Sequence, residues 1–302
     1  MSPNFNYKYK TISVKHLDEL QEDVNKLIRE GKLSDNEIYR SYLSEKKFGI
    51  PETIPNAKSL IVMAIFTKLA YITFNSEGKK HKFMIPPQYY DDGLTYKDLD
   101  NTIFNEIIKE PGYKIELVKR IHLKLLAVRS GLTKYGRNNI SYVDEMGSFI
   151  SLYTYFTDYN FEEDSWTEIK MMDTCTKCKI CSVNCPTNSI NAKNSNFVIN
   201  AGRCITLYNE IEGEFPNWIN PNAHNALMGC MKCQFQCPAN RKPVKQPLKF
   251  EDISEEETKM ILSNKPDENL LNSMCNKLKM FSPSDSEKML PILKRNLEVL
   301  LK

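Results

Sequence analysis

The sequence predicts an α+β protein in three parts: a mixed N-terminal domain over residues 1–160, a cysteine-rich domain over 161–245, and a short helical tail over 246–302. Three observations carry this. Segments of helical and of strand period alternate through the first half. Eight of the nine cysteines fall within 175–237, in two spaced blocks. After Pro243 the composition turns charged and helix-forming.

Within 16–30, Leu17, Leu20, Val24, Leu27 and Ile28 recur at helical spacing and Gly31 follows as a stop. Ser34 and Glu37 form a capping-box pattern for a second helix, ending before Gly49 and Pro51. The apolar run 59–66 has the length of a buried strand, and 69–74 with 81–85, around Gly78, reads as a hairpin. Thr95 and Asp98 cap a helix carrying Leu99, Ile103, Ile107 and Ile108, stopped by Pro111 and Gly112. Strands are expected over 113–118, 139–143 and 148–156, and a helix over 120–130 ended by Gly131. In the tail, Ser254 and Glu257 cap one helix, and 290–301 supplies another entered at Pro291.

At 302 residues the chain has room for one large domain or two to three smaller ones. A net charge of +3 names no partner and argues against a large electrostatic footprint for nucleic acid. Basic residues do cluster at Lys79, Lys80 and Lys82, at Lys119, Arg120 and Lys124, and at Arg241, Lys242 and Lys245. Such runs are usually solvated faces and would also suit phosphate. The first ten residues contain no apolar stretch of a signal peptide, and the longest apolar run, 60–66, is too short for a bilayer. A cytoplasmic protein with no membrane contact is expected, so the cysteines are read as metal ligands and not as disulfides.

Cys175, Cys178, Cys181, Cys185 and Pro186 form CxxCxxCxxxCP, the bacterial ferredoxin run, whose fourth cysteine ligates the other cluster. Cys230, Cys233, Cys237 and Pro238 form CxxCxxxCP, and Cys204 lies between the blocks, which closes the count at eight. The crossed logic assigns Cys175, Cys178, Cys181 and Cys237 to one cluster and Cys185, Cys204, Cys230 and Cys233 to the other, so that 161–245 is read as a ferredoxin-like domain for two 4Fe-4S clusters. Two four-cysteine zinc sites would also use eight thiolates, but they pair CxxC knuckles and do not need the triple run with its CP partner. Cys275 reads as a buried apolar residue. Neither block is a CxxxCxxC triad with an open iron, so the clusters should relay electrons to chemistry elsewhere. No GxGxxG follows a strand, no GxxxxGK[ST] occurs, and no DxHxxG segment offers cobalamin a histidine. His16, His81, His122 and His224 are scattered along the chain.

The stretch 127–158 resembles the epoxyqueuosine reductases, and the related reductive dehalogenases, through Gly131, Leu132, Gly136, Asn138, Gly147, Ser148 and Phe149. The likeness continues at 203–207, Gly229, Asn240 and the closing KRNLEVLL. It runs from about Ile54 to the end and is strongest over 127–240.

The resemblance implies a nitroreductase-like α/β fold for 1–160 that holds base-off cobalamin reduced by the clusters, with flavin as the alternative because such folds often hold it. On that reading Gly131, Tyr135, Gly136, Arg137, Asn138 and Ser148 form the cofactor-binding set. The proton-donating aspartate of the family would fall at Leu117, beside Glu116; Glu116, Tyr135 and Tyr142 are the candidates to replace it as general acid. The implied activity is that of a reductase fed by a low-potential donor such as ferredoxin or flavodoxin. Its substrate would be epoxyqueuosine in tRNA or a small molecule, and the tail of about 60 residues after Asn240 is short for tRNA-binding helical repeats. The competing reading is a ferredoxin-type electron-transfer protein whose N-terminal domain docks a partner and does no chemistry.

Overall fold

The computed structural model describes residues 5–118, 120–191 and 196–302, in two compact units. Lys119, part of one of the basic runs, lies outside the described residues. The first unit comprises Met1–Phe66, Gly93–Lys179 and Ile190–Asn200; the second comprises Thr67–Asp92, Ile180–Ser189 and Ala201–Lys302.

The first unit is built on an antiparallel sheet in which β1 (Tyr7–Ser13), β2 (Ser59–Phe66), β8 (Ile150–Thr157) and β5 (Ile115–Leu117) lie in the order β1-β2-β8-β5. Strand β2 sits between two neighbours, and all but its last residue are buried, which is why its sequence is an unbroken apolar run without alternation. Its period of two then divides the core. Leu60 and Val62 pack with Leu20 and Val24 of α1 (Leu17–Arg29) and with Leu125 and Leu126 of α4 (Leu123–Arg129). Ile61, Met63 and Ile65 pack with Leu99 of α3 (Tyr96–Thr102) and with Ile103 and Ile107 of the π-helical turn Ile103–Ile108 that continues it. The Thr95–Asp98 capping box forms as expected.

Strand β1 was not legible beforehand: its Tyr-Lys alternation lacks the apolar run that betrays β2, and only pairing with β2 makes it a strand. At α2 (Glu37–Ser44) the cap is Asn36, whose side chain accepts from the Tyr39 N–H at 3.1 Å, in place of Ser34; Ser34 instead accepts from the Asn36 N–H at 3.3 Å.

In the second unit the hairpin β3 (Ala70–Ser76) and β4 (Lys79–Ile85) is extended by β9 (Leu248–Lys249), parallel to β3. Ile72, Phe74 and Ile85 share one core with Ile261 of α8 (Glu255–Ser263), Met274, Cys275 and Leu278 of α9 (Glu268–Leu278), and Leu293 and Leu297 of α10 (Ser286–Leu301). Hairpin and tail therefore bury each other's apolar faces, although about 160 residues separate them in sequence. The contiguous division at 160 and 245 does not describe this core, because a two-stranded hairpin has too little apolar surface to stand alone. Helix α10 also begins earlier than expected: a 3-10 turn over Pro283–Asp285 leads into Ser286, and Pro291 lies inside the helix, where it removes the bond to the Glu287 carbonyl. Cys275 is buried in this core as an apolar residue.

Candidate functional site

In the first unit, the turn of the short hairpin β6 (Lys134–Tyr135) and β7 (Ser141–Tyr142) presents the loop singled out in the sequence. Gly136 closes the turn by donating to the Ile140 carbonyl at 2.8 Å and accepting from the Asn139 N–H at 3.0 Å. A Cβ on Gly136 would lie 2.6 Å from the Tyr142 ring, so only glycine fits. Asn138 Nδ2 donates to the Tyr142 hydroxyl at 2.9 Å, and both side chains are buried.

The same hairpin is tied to the chain entering the first cysteine block. Tyr135 donates to the Lys170 carbonyl and accepts from the Met172 N–H, both at 2.9 Å, and its ring stacks on Phe197 with centroids 4.1 Å apart. Beyond it, the buried Arg137 donates from Nε to the Cys178 carbonyl at 3.3 Å and from a terminal nitrogen to the Cys175 carbonyl. Two of its bonds thus go to the backbone of the first cysteine loop.

Gly131, with φ of +70°, lines an open groove of about 590 Å³ together with Tyr7, Lys8, Tyr9, Lys10, Leu132, Val143 and Asp144. Ser148 is buried. Glu116 lies on β5 and accepts a hydrogen bond from the Thr53 hydroxyl. Burial raises the Tyr135 phenol above its ordinary value, which holds it protonated.

In the second unit, α5 (Ile180–Val183), which carries Cys181, packs against α7 (Lys232–Phe235), which carries Cys233. Cys185, Cys204 and Cys230 lie within electrostatic reach of one another. Burial raises the thiol of Cys204, and burial raises that of Cys230 to about 11, each helped by its neighbouring sulfurs. All three are free of disulfides. Half-buried cysteines whose thiols obstruct one another's ionisation suit a cationic cluster, which takes them as thiolates and cancels the repulsion. Neighbouring cysteine sulfurs are the donor type that a 4Fe-4S group uses.

Around these thiols lie groups that sequence reasoning missed. Asn225 Nδ2 donates to Cys230 Sγ at 3.1 Å. Tyr89 donates to Glu210, and burial raises the carboxyl of Glu210 above its ordinary range. Asn209 donates to the Gly229 carbonyl at 2.7 Å. From α10, Asn296 donates to the carbonyls of Asn209 at 2.9 Å and Leu227 at 3.0 Å, while Arg295 donates to that of Tyr208 at 2.7 Å. No spacing rule links residues 89, 225 and 296 to the cysteines, and only the position of Gly229 beside Cys230 hinted at a tight site.

Residues 174–240 match the family model for the 4Fe-4S double cluster binding domain. About two thirds of the chain resembles the epoxyqueuosine reductases in sequence. It is 28% identical over 205 residues to epoxyqueuosine reductase of Atelocyanobacterium thalassa, covering 65% of this chain and 63% of that one. Against the Staphylococcus aureus enzyme it is 30% identical over 196 residues, covering 63% and 50%. The chain thus spans less than two thirds of the length of these curated relatives. The structure of epoxyqueuosine reductase from Streptococcus thermophilus superposes over 97% of this chain and 76% of that one, with a TM-score of 0.67 and 19% identity. The fold is therefore the mixed α/β fold of those structures. Among the described residues no helix is long and apolar enough to cross a membrane.

Proposed function

We propose that this chain is an iron-sulfur reductase of the epoxyqueuosine reductase type, in which two 4Fe-4S clusters relay electrons to a cobalamin held by a nitroreductase-like first unit. The observation that supports this most is the match of residues 174–240, which hold the cysteines of the two blocks and Cys204, eight in all, to the double-cluster family. The motif spacing assigns Cys185, Cys204, Cys230 and Cys233 to one cluster and Cys175, Cys178, Cys181 and Cys237 to the other.

Bound cobalamin would contribute a low-potential cobalt centre, which flavin would replace in the alternative reading. Toward such a cofactor the chain offers the groove at Gly131, where a backbone without Cβ allows close approach. It also offers the loop of Tyr135, Gly136, Arg137 and Asn138, with Ser148 as the remaining member of the set. Arg137 ties this loop to the backbone carbonyls of Cys175 and Cys178. Glu116, Tyr135 and Tyr142 remain the candidates for general acid, and Glu116 is the one of the three that is not buried.

The substrate reading is epoxyqueuosine in tRNA, since one structural neighbour is an epoxyqueuosine reductase with an epoxyqueuosine-modified tRNA-Tyr stem loop; a small-molecule substrate is the rival. A cytoplasmic ferredoxin or flavodoxin would supply the electrons.

The test is anaerobic purification with iron and sulfide quantification and absorbance spectra with and without cobalamin. About eight irons per chain, as two cubanes require, and a corrin shift on addition are expected. Eight irons with no corrin or flavin response would leave an electron-transfer protein that docks a partner. Accumulation of epoxyqueuosine in tRNA of a deletion strain would identify the substrate, and unchanged tRNA would point to a small molecule.

A further inference from the structure

Asn225 lies five residues before Cys230, outside both cysteine motifs and outside the cofactor-binding set. Its side chain is held at all three of its usable positions. The Oδ1 atom accepts from the Met231 backbone N–H at 2.8 Å. The Nδ2 atom donates to the Ala223 carbonyl at 3.2 Å and to Cys230 Sγ at 3.1 Å. These partners also fix which way round the amide sits. Rotating it by half a turn would set its NH2 against the Met231 N–H and its oxygen against the Ala223 carbonyl, two like-with-like contacts, and would turn an acceptor toward the sulfur.

The donor is therefore aimed at a cysteine sulfur, and it is aimed by backbone groups on both sides of the ligand. Met231 directly follows Cys230, so the peptide that positions the sulfur also positions the amide that bonds to it. A thiolate sulfur on an iron-sulfur cluster gains negative charge when the cluster takes an electron. A hydrogen bond to that sulfur consequently stabilises the reduced state more than the oxidised one and raises the reduction potential.

We propose that Asn225 is a positioning and potential-setting residue for the cluster ligated by Cys185, Cys204, Cys230 and Cys233, making that cluster a better electron acceptor through its N–H to Cys230 Sγ. This rests on the two-cluster reading above. Asn225 ligates nothing and touches no substrate, so its removal should leave both clusters assembled and change the energy of one.

The experiment is an anaerobic redox titration of wild type, Asn225→Asp and Asn225→Leu, followed by electron paramagnetic resonance, with iron and sulfide measured on the same samples. Asn225→Asp keeps the oxygen that accepts from Met231 and loses both N–H donors; Asn225→Leu keeps the volume and loses every polar contact. The expected result is wild-type iron content in Asn225→Asp, with the midpoint of one cluster shifted to lower potential and that of the other unmoved. Asn225→Leu should shift the same cluster in the same direction, by less because it adds no charge. If Asn225→Leu fails to assemble its clusters, the Asp variant alone decides. Full iron with both midpoints at their wild-type values in Asn225→Asp would overturn the role of Asn225 while leaving the two clusters standing. A wild-type protein that holds no iron and sulfide would overturn the cluster reading itself, and the role of Asn225 with it.

Discussion

The ring of Tyr89 packs on Gly229 so closely that a Cβ there would sit 2.8 Å from it. Gly229 also has φ of +65°, in the left-handed region, and directly precedes Cys230. Two independent demands thus require a glycine at the entrance to the second cysteine block. One is the absence of a side chain against a ring, and the other is a backbone conformation that L-residues adopt at a cost of roughly 1–2 kcal/mol.

Gly229→Ala should accordingly be among the more damaging small substitutions in the second unit. Overpacking adds about 1–3 kcal/mol to the backbone term, and relief requires moving Tyr89 off its hydrogen bond to Glu210, a half-buried carboxyl that would lose its phenol partner. Anaerobic denaturant titration should show a clear loss of stability, and iron content should fall. A variant as stable and as iron-rich as wild type would contradict this account.

Arg137→Gln should act on the other cysteine block. The guanidinium bonds to the carbonyls of Cys175 and Cys178 are charge-assisted, each worth about 1.5–3 kcal/mol, and glutamine is too short and too weak a donor to restore both. The loop that presents Cys175 and Cys178 should loosen, so that iron drops by about half, the share of one cubane among two. Arg137→Lys should recover only part of it. Iron quantification on the two variants checks this, and loss from the second cluster first would argue against it.

Acid should weaken the fold through two histidines. Burial, with Lys46 and Lys124 nearby, lowers His122 from 6.5 to about 4. Burial, with Arg295 nearby, does the same for His224. Below pH 6.5 the unfolded chain takes up protons that the folded chain refuses, so stability is full above that pH. It declines as pH falls toward 4 and declines no further from this source below it. For each histidine a tenfold difference in proton affinity between the folded and unfolded chain is worth at most about 1.4 kcal/mol, and less here because neither ring is wholly removed from water. Urea midpoints at pH 7.5 and 5.5 should therefore differ, and His224→Phe, which keeps an aromatic ring beside Phe215, should flatten the difference. An unchanged pH dependence in both His224→Phe and His122→Phe would rule these groups out as its source.

By itself the sequence determined the elements whose signals are local. The apolar run 59–66, the Thr95–Asp98 and Ser254–Glu257 capping boxes, and the hairpin around Gly78 all appear where their residues place them. So does the double-cluster cysteine pattern, because covalent ligand spacing around a compact cofactor is itself a short-range constraint. What only the tertiary structure decided are relationships between distant residues. Strand β1 exists through its pairing with β2, and the hairpin and tail become one core because neither can bury its apolar face alone. Arg137 reaches Cys175 across 38 positions, and Asn296 reaches Leu227 across 69. Such bonds leave no period or motif in the chain, since their partners are chosen by where packing delivers a buried polar group that must find a mate.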